Sequence, residues 1–169
     1  ADDTQTVKRG QLLVEMDPAT AKVKLDAAKA NLARAVRAVR GAFSQSDTSQ
    51  AQLHQAQVAL AQARADYRRR QSAAASGAVS AEELAHARDA VAAAQAAVNS
   101  AGGSLAQSQA AISGTDIATN PDVLAAEAEL RGAMISMGHM RVIAPMEGVV
   151  AQRMVQAGQH VSAGMPLMA

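Results

Sequence analysis

Large residues, with Ser46 as the exception, return at every seventh position from Leu25: Leu25, Leu32, Val39, Ser46, Leu53, Leu60 and Tyr67. Three positions after each of the first six stands a small one (Ala28, Ala35, Ala42, Ser49, Ala56, Ala63), and Arg70 closes the row. A stripe repeating every 3.5 residues runs along one side of an α-helix and marks a coiled-coil seam. Gly41 and the polar run 44–49 interrupt its hydrophobicity but not its register, so the pattern predicts one continuous helix. A second stripe runs through Leu84, Val91, Val98, Leu105 and Ile112, partnered by Ala87, Ala94, Ala101 and Ser108. A third joins Val123, Leu130 and Met137 to Ala126, Ala133 and Met140. Val123 follows Ile112 by eleven residues, a slip that a stutter or a looped-out segment would each produce.

End signals set the limits of these helices. Asp17-Pro18 reads as an N-cap followed by a first-turn proline, and Asn120-Pro121 repeats the device. Gly77 suits a left-handed stop. Ser80 with Glu83 forms a capping box, and Val79 with Leu84 its hydrophobic staple. Gly114 closes the second helix. The helices therefore fall at about 19–72, 80–113 and 121–141, with a tip at 73–79. So short a connection makes its two helices antiparallel neighbours. At 1.5 Å per residue the first helix extends ~80 Å, roughly matched by the other two together.

Charge gives the arms opposite signs. Residues 19–72 carry ten Lys/Arg and three Asp, a net of +7, whereas 80–141 carry three Arg and seven acids, a net of −4. A basic arm folding back on an acidic one gains a cue for orientation and register, although each exposed pair contributes little.

Outside 18–141 the periodicity shortens. Residues 7–16 alternate loosely, and Val142-Ile143-Ala144-Pro145, Gly148-Val149-Val150 and His160-Val161 read as short strands between turns. Val7-x-x-Gly10-x-x-Leu13 recurs as Val161-x-x-Gly164-x-x-Leu167, so 1–17 and 142–169 are expected to form two halves of one β unit. The fold class is thus mostly α with a small β part, a long antiparallel hairpin set between two β halves.

Composition narrows the function. Alanine supplies 43 of 169 residues, and Phe43 and Tyr67 are the only aromatics. Alanine favours helix and close helix approach, and a thick core is excluded for want of large side chains. A net charge of +1 leaves no footprint for nucleic acid. Without cysteine there is neither disulfide nor thiolate chemistry. No apolar run is long enough to span a membrane. Acids are dispersed, and no His or Ser lies in a nucleophile motif, so no enzyme is expected. Seven of eight methionines lie from Met134 onward, with His139 beside Met140. Thioethers suit soft ions, but Met137 and Met140 fall on the seam, where methionine packs. Neither a metal nor a cofactor is therefore assigned.

The flanking motifs carry a resemblance. Val7-Lys8-x-Gly10-Gln11-x-Leu13 through Met16-Asp17-Pro18 resembles one half of the lipoyl-like domain of membrane fusion proteins. Ile143-Ala144-Pro145-x-x-Gly148-x-Val150, with Gly158, Val161, Gly164 and Pro166-Leu167, resembles the other. Tyr67-Arg68-Arg69-Arg70 and Glu82 to Val91 bring the likeness closest to the EmrA type within this HlyD-like family of periplasmic adaptors. It covers nearly the whole chain. The resemblance implies a multidrug-efflux adaptor that bridges an inner-membrane transporter and an outer-membrane channel, works as a homo-oligomer and resides in the periplasm. Family members also carry an inner-membrane anchor and a β-barrel, so the chain is expected to be the distal part of such an adaptor. A lipoyl carrier role is not expected, because the turn that bears the modified lysine is replaced by the hairpin.

The resemblance also points to a tip that meets the channel. Many adaptors place Arg, then Leu four residues on, then Ser seven further. Here these positions hold Arg69, Ala73 and Ser80, with Arg68 and Gly77 beside them, and Ala73 departs from Leu. A guanidinium there can fork onto carboxylates or carbonyls of a partner. Other readings are a type I protein-secretion adaptor, a metal-efflux adaptor, and a structural coiled coil that only self-associates.

Overall fold

The computed structural model describes residues 4–162 and 164–169; of the predicted β halves, residues 1–3 and 163 lie outside the described residues. In chain order it contains β1 (Thr6–Val7), β2 (Leu12–Glu15), α1 (Ala19–Ala74), α2 (Ala81–Ala110), α3 (Pro121–Gly138), β3 (Arg141–Ile143) and β4 (Gly148–Val149). They form two compact units. One comprises the chain up to Leu32 together with Ala125–Ala169, and the other is Ala33–Leu124.

The strands belong to the first unit. β1 pairs antiparallel with β4, and β2 with β3, with a bulge between Leu12 and Val14. Val7, Ala144 and Val150 form a small buried cluster against which Leu13 and Met168 pack. Main-chain bonds from Gly10 N–H to Ala144 O (2.8 Å) and from Ala144 N–H to Gln11 O (2.9 Å) tie the two ladders together. The chain's last residues join through an Arg153–Met168 bridge.

One turn is built twice. Gln11 N–H donates to Lys8 O at 3.0 Å while Lys8 N–H donates to the Gln11 side-chain oxygen at 2.9 Å. Gln159 N–H donates to Gln156 O at 3.1 Å, and Gln156 N–H to the Gln159 side-chain oxygen at 2.9 Å. Gly10 and Gly158 hold φ of +82° and +84° at the third position, as a type II turn requires. Val7 and Val155, which precede these turns, are both buried. The predicted repeat paired 7–13 with 161–167. A turn does form there, Met165 N–H to Ser162 O at 3.1 Å with Gly164 at φ +88°. The fuller counterpart, Val-x-x-Gly-Gln at 155–159, includes the glutamine that completes the turn, which spacing of Val and Gly alone does not reveal.

Helix starts follow the sequence signals closely. Ala19 N–H donates to Asp17 Oδ1 at 2.9 Å, and Asp122 N–H to Asn120 Oδ1 at 3.0 Å, so each Asx side chain satisfies a first-turn donor ahead of its proline helix start. Helix ends differ by two or three residues. α1 reaches Ala74 rather than 72, because a run of alanines prolongs it. α2 stops at Ala110, not 113, where the bonding tightens to Ile112 N–H→Gln109 O and Gly114 turns left-handed at φ +72°. α3 stops at Gly138 instead of 141. Met16 N–H takes Met140 O, and Arg141 enters the ladder opposite Glu15, so strand pairing prevails over another helical turn.

The slip between the second and third stripes is a loop. Asp116 N–H donates to the Thr119 hydroxyl oxygen at 2.9 Å, and Thr119 N–H donates back to Asp116 Oδ1 at 2.7 Å. These bonds hold Asp116 below the usual aspartate range, the Thr119 main-chain N–H contributing most.

All three predicted seams run through buried or half-buried positions. Leu60, Ala87 and Leu105 are buried, and Leu32, Leu53, Tyr67, Leu84, Val91 and Val98 half-buried. The α1 seam also buries Ser46 and Ser49. Arg64 Nη2 donates to Gln95 Oε1 at 2.8 Å, joining α1 to α2 within the second unit. In the first, Asn31 Nδ2 donates to Glu129 Oε2 at 3.3 Å, joining α1 to α3.

Candidate functional site at the hairpin tip

The connection between α1 and α2 is held from both ends. At the end of α1, Ala78 N–H donates to Ala73 O at 3.1 Å and Gly77 N–H to Ala74 O at 3.0 Å. This pair of bonds around a left-handed Gly77 (φ +76°) is a Schellman motif, which satisfies carbonyls that have no helical partner. The Ser76 hydroxyl also donates to Ala73 O, at 2.8 Å.

At the start of α2, Ser80 is the N-cap. Glu83 N–H donates to Ser80 Oγ at 3.2 Å, and Ser80 N–H donates to Glu83 Oε2 at 2.9 Å. The Ser80 hydroxyl donates to the same oxygen at 3.0 Å. The main-chain bond, then the hydroxyl, hold the Glu83 carboxyl below the usual glutamate range, and Arg70 adds a smaller Coulombic lowering. Val79 and Leu84, the expected staple, are both half-buried.

The three arginines differ in their commitments. Arg69 Nη2 donates to Asp66 Oδ1 at 3.1 Å, and Arg70 Nε to Asp66 Oδ2 at 2.8 Å, so one carboxylate clamps two guanidinium groups. Arg68 is exposed and forms no ion pair among the described residues; its carbonyl accepts from the Ser72 hydroxyl at 3.1 Å. Ala73 is half-buried and offers a methyl group where the motif has leucine.

Arg68, Arg69, Ala73, Gly77 and Ser80 therefore fall in one capped turn and the last turns of α1. Only the side chains of Arg68 and Arg69 can reach outward, since Ser80 is committed to its cap. Sequence reasoning missed Asp66. Its signal was present, a carboxylate three and four residues before two arginines on one helix face.

No group of three or more His, Asp or Glu among the described residues could hold a metal ion. No helix among them is long and apolar enough to cross a membrane. Chemically, the tip offers a fixed cation and a rigid turn, with the Ser80 hydroxyl and the Glu83 carboxylate joined to one another in the cap.

This arrangement defines a helical-hairpin module set between paired strands. The family model of the EMRA α-helical hairpin domain matches residues 19–139. Fatty acid resistance protein FarA of Neisseria gonorrhoeae is 43% identical over 169 residues, covering 99% of this chain and 43% of that protein. Multidrug export protein EmrA of Escherichia coli (strain K12) is 40% identical over 169 residues, covering 100% of this chain and 43% of that protein. EmrA of Haemophilus influenzae is 36% identical over the same length and likewise covered to 43%. The chain belongs to the EmrA-type membrane fusion proteins. It spans less than half the length of these relatives.

Proposed function

We propose that the chain is the hairpin-bearing part of a periplasmic efflux adaptor, linking an inner-membrane drug transporter to an outer-membrane channel. Family membership supports the adaptor reading, and the names of the relatives support export of drugs or fatty acids as the process served. The observation that carries the tip's role is its rigidity: a Schellman motif and a capping box fix both ends of the turn beside Arg68 and Arg69.

In this reading the tip docks to the channel. Arg68 supplies the uncommitted guanidinium, Arg69 is aimed by Asp66, and Ala73 leaves an apolar contact small. The flanking strands form the lipoyl-like halves, and the protein works as a homo-oligomer.

The test is drug resistance in cells carrying the full-length adaptor with Arg68→Glu and Arg69→Glu, singly and together. Resistance should fall to that of cells lacking the adaptor in the double variant, with helical content of the purified chain unchanged. Full resistance with that variant present at normal levels would overturn tip docking. Crosslinking from Ala73→Cys should trap an outer-membrane protein, and its absence would count equally against it.

A further inference from the structure

Within the unit Ala33–Leu124, the seam of α1 changes character partway along. Ser46 stands in the row that carries Val39 before it and Leu53 after it, and Ser49 follows in the small position. Both are nonetheless buried, at 8% and 2% exposure. A hydroxyl there contributes little of the apolar burial that holds a coiled-coil layer together. The space left is a groove of about 450 Å³, lined by Gln45, Ser49 and Gln52 of α1 and by Ser104, Gln107 and Ser108 of α2. Its walls present amides and hydroxyls, for which water competes. The Ser49 hydroxyl has no hydrogen-bond partner among the described residues. Since none of their sealed polar side-chain atoms lacks a partner, its oxygen opens to the groove.

Little else ties the arms together at this level. The bond from Arg64 to Gln95 is the one side-chain hydrogen bond joining α1 to the return arm in this unit, among the described residues. Equal rise from that pair sets 44–49 level with about 110–115 of the return arm. There α2 ends at Ala110, Gly114 turns left-handed, and α3 begins only at Pro121. The loop between them bonds within itself, Asp116 to Thr119 in both directions. Charge does not substitute. Between residues 41 and 63 α1 carries Asp47 and His54 as its ionisable groups, and from 90 to 115 the return arm carries none. The helices themselves are also weakened here. Thr48 Oγ1 donates to Ser44 O at 2.9 Å and Ser104 Oγ to Ser100 O at 3.2 Å, the back-bonding that bends a helix. Gly102 and Gly103, poor helix formers, precede Ser104.

We propose that this level is a joint. Residues 44–52 of α1 and 104–119 of the return arm part and admit water as one local step, while the seam layers at Val39 and Leu60, 5% and 7% exposed, stay closed on either side. The polar seam, the groove and the interruption of the return arm are separate features, and each lowers the cost of opening at the same height. The capped turn of the tip is thus carried on a compliant stem. Bending at the joint moves the tip without disturbing the bonds that shape it. The joint concerns opening of this chain alone, and its test reads backbone exchange and not efflux, so it stands or falls separately from tip docking.

A helix of 56 residues opens first at its ends, and a joint inside it predicts the reverse. In hydrogen-exchange mass spectrometry of the purified chain, 44–52 should exchange about tenfold faster than 53–63 of the same helix. S46L/S49A restores a large and a small residue to the seam and should slow 44–52 by about tenfold, leaving the tip at 73–79 unchanged. Ser49→Ala alone removes only the hydroxyl and should slow it by about threefold. The chain has no cysteine, so spin labels at Gln50→Cys and Gln109→Cys report the arms directly. Their distance distribution should be broad, and either serine variant should narrow it. Exchange at 44–52 as slow as at 53–63 in the unaltered chain would overturn the joint. So would a folded S46L/S49A with exchange unchanged at 44–52. Should that variant fail to fold, Ser49→Ala decides alone: exchange and label distances equal to those of the unaltered chain would overturn the proposal.

Discussion

Ser80 and Glu83 cap one another, main-chain N–H to side-chain oxygen in both directions, at 2.9 and 3.2 Å. Replacing Ser80 by Ala should therefore cost about 1 kcal/mol of stability. Since Glu83 is held below its ordinary range, the stabilisation it contributes is present above the unfolded glutamate value and is lost as pH falls through the folded one. Melting curves at neutral and acid pH should show a smaller acid-side loss for Ser80→Ala than for the unaltered chain. An equal loss in both would show that the capping box does not set this dependence.

Two glycines with open space around them should respond oppositely. Gly77 sits at φ +76° with nothing within 4 Å of where an added methyl group would stand, so Gly77→Ala carries backbone strain alone, about 1–2 kcal/mol. Gly132 lies inside α3 with the same open surroundings and no left-handed φ. Gly132→Ala should stabilise by roughly 0.5–1 kcal/mol. Thermal denaturation of both variants checks the sign.

Much of this architecture was legible because its stripes obey one period. Leu53, Leu60, Leu84 and Leu105 fall on the protected side of their helices as spacing alone demands. Helix starts were legible too, since Asp17, Ser80 and Asn120 act through bonds only two or three residues long. Helix ends were less so. Whether Arg141 continues α3 or pairs with Glu15 depends on a strand far away in the chain. At the tip the sequence displays a cluster of arginines and a serine, but which cation is spoken for depends on Asp66, and which side chain is a cap depends on Glu83.

Close packing of the arms should be sensitive to bulk on one side only. Ala87 is 5% exposed, whereas Ala90 on the same helix is exposed. Ala87→Phe should destabilise by about 1–3 kcal/mol through overpacking. Ala90→Phe should stay within about 0.5 kcal/mol. Similar melting temperatures for the two variants would contradict alanine-set helix spacing.

Asp66→Asn separates aiming from charge at the tip. Its pairs with Arg69 and Arg70 are partly exposed, so stability should change by less than about 1 kcal/mol. Crosslinking from Ala73→Cys in cells should nonetheless fall, because Arg69 is no longer held in one direction. An undiminished yield would assign Asp66 a purely local part.

The pairing of Leu12 with Ile143 joins positions more than a hundred residues apart in the chain. Closing so long a loop from a disordered chain is entropically costly and slow. Helices that zip from a nearby turn remove most of that cost before the strands meet. The β ladders should then be the last part to form and the first to report a faulty seam. In kinetic terms, bulk introduced at Ala87 would delay strand pairing far from the substitution, although it touches no strand residue.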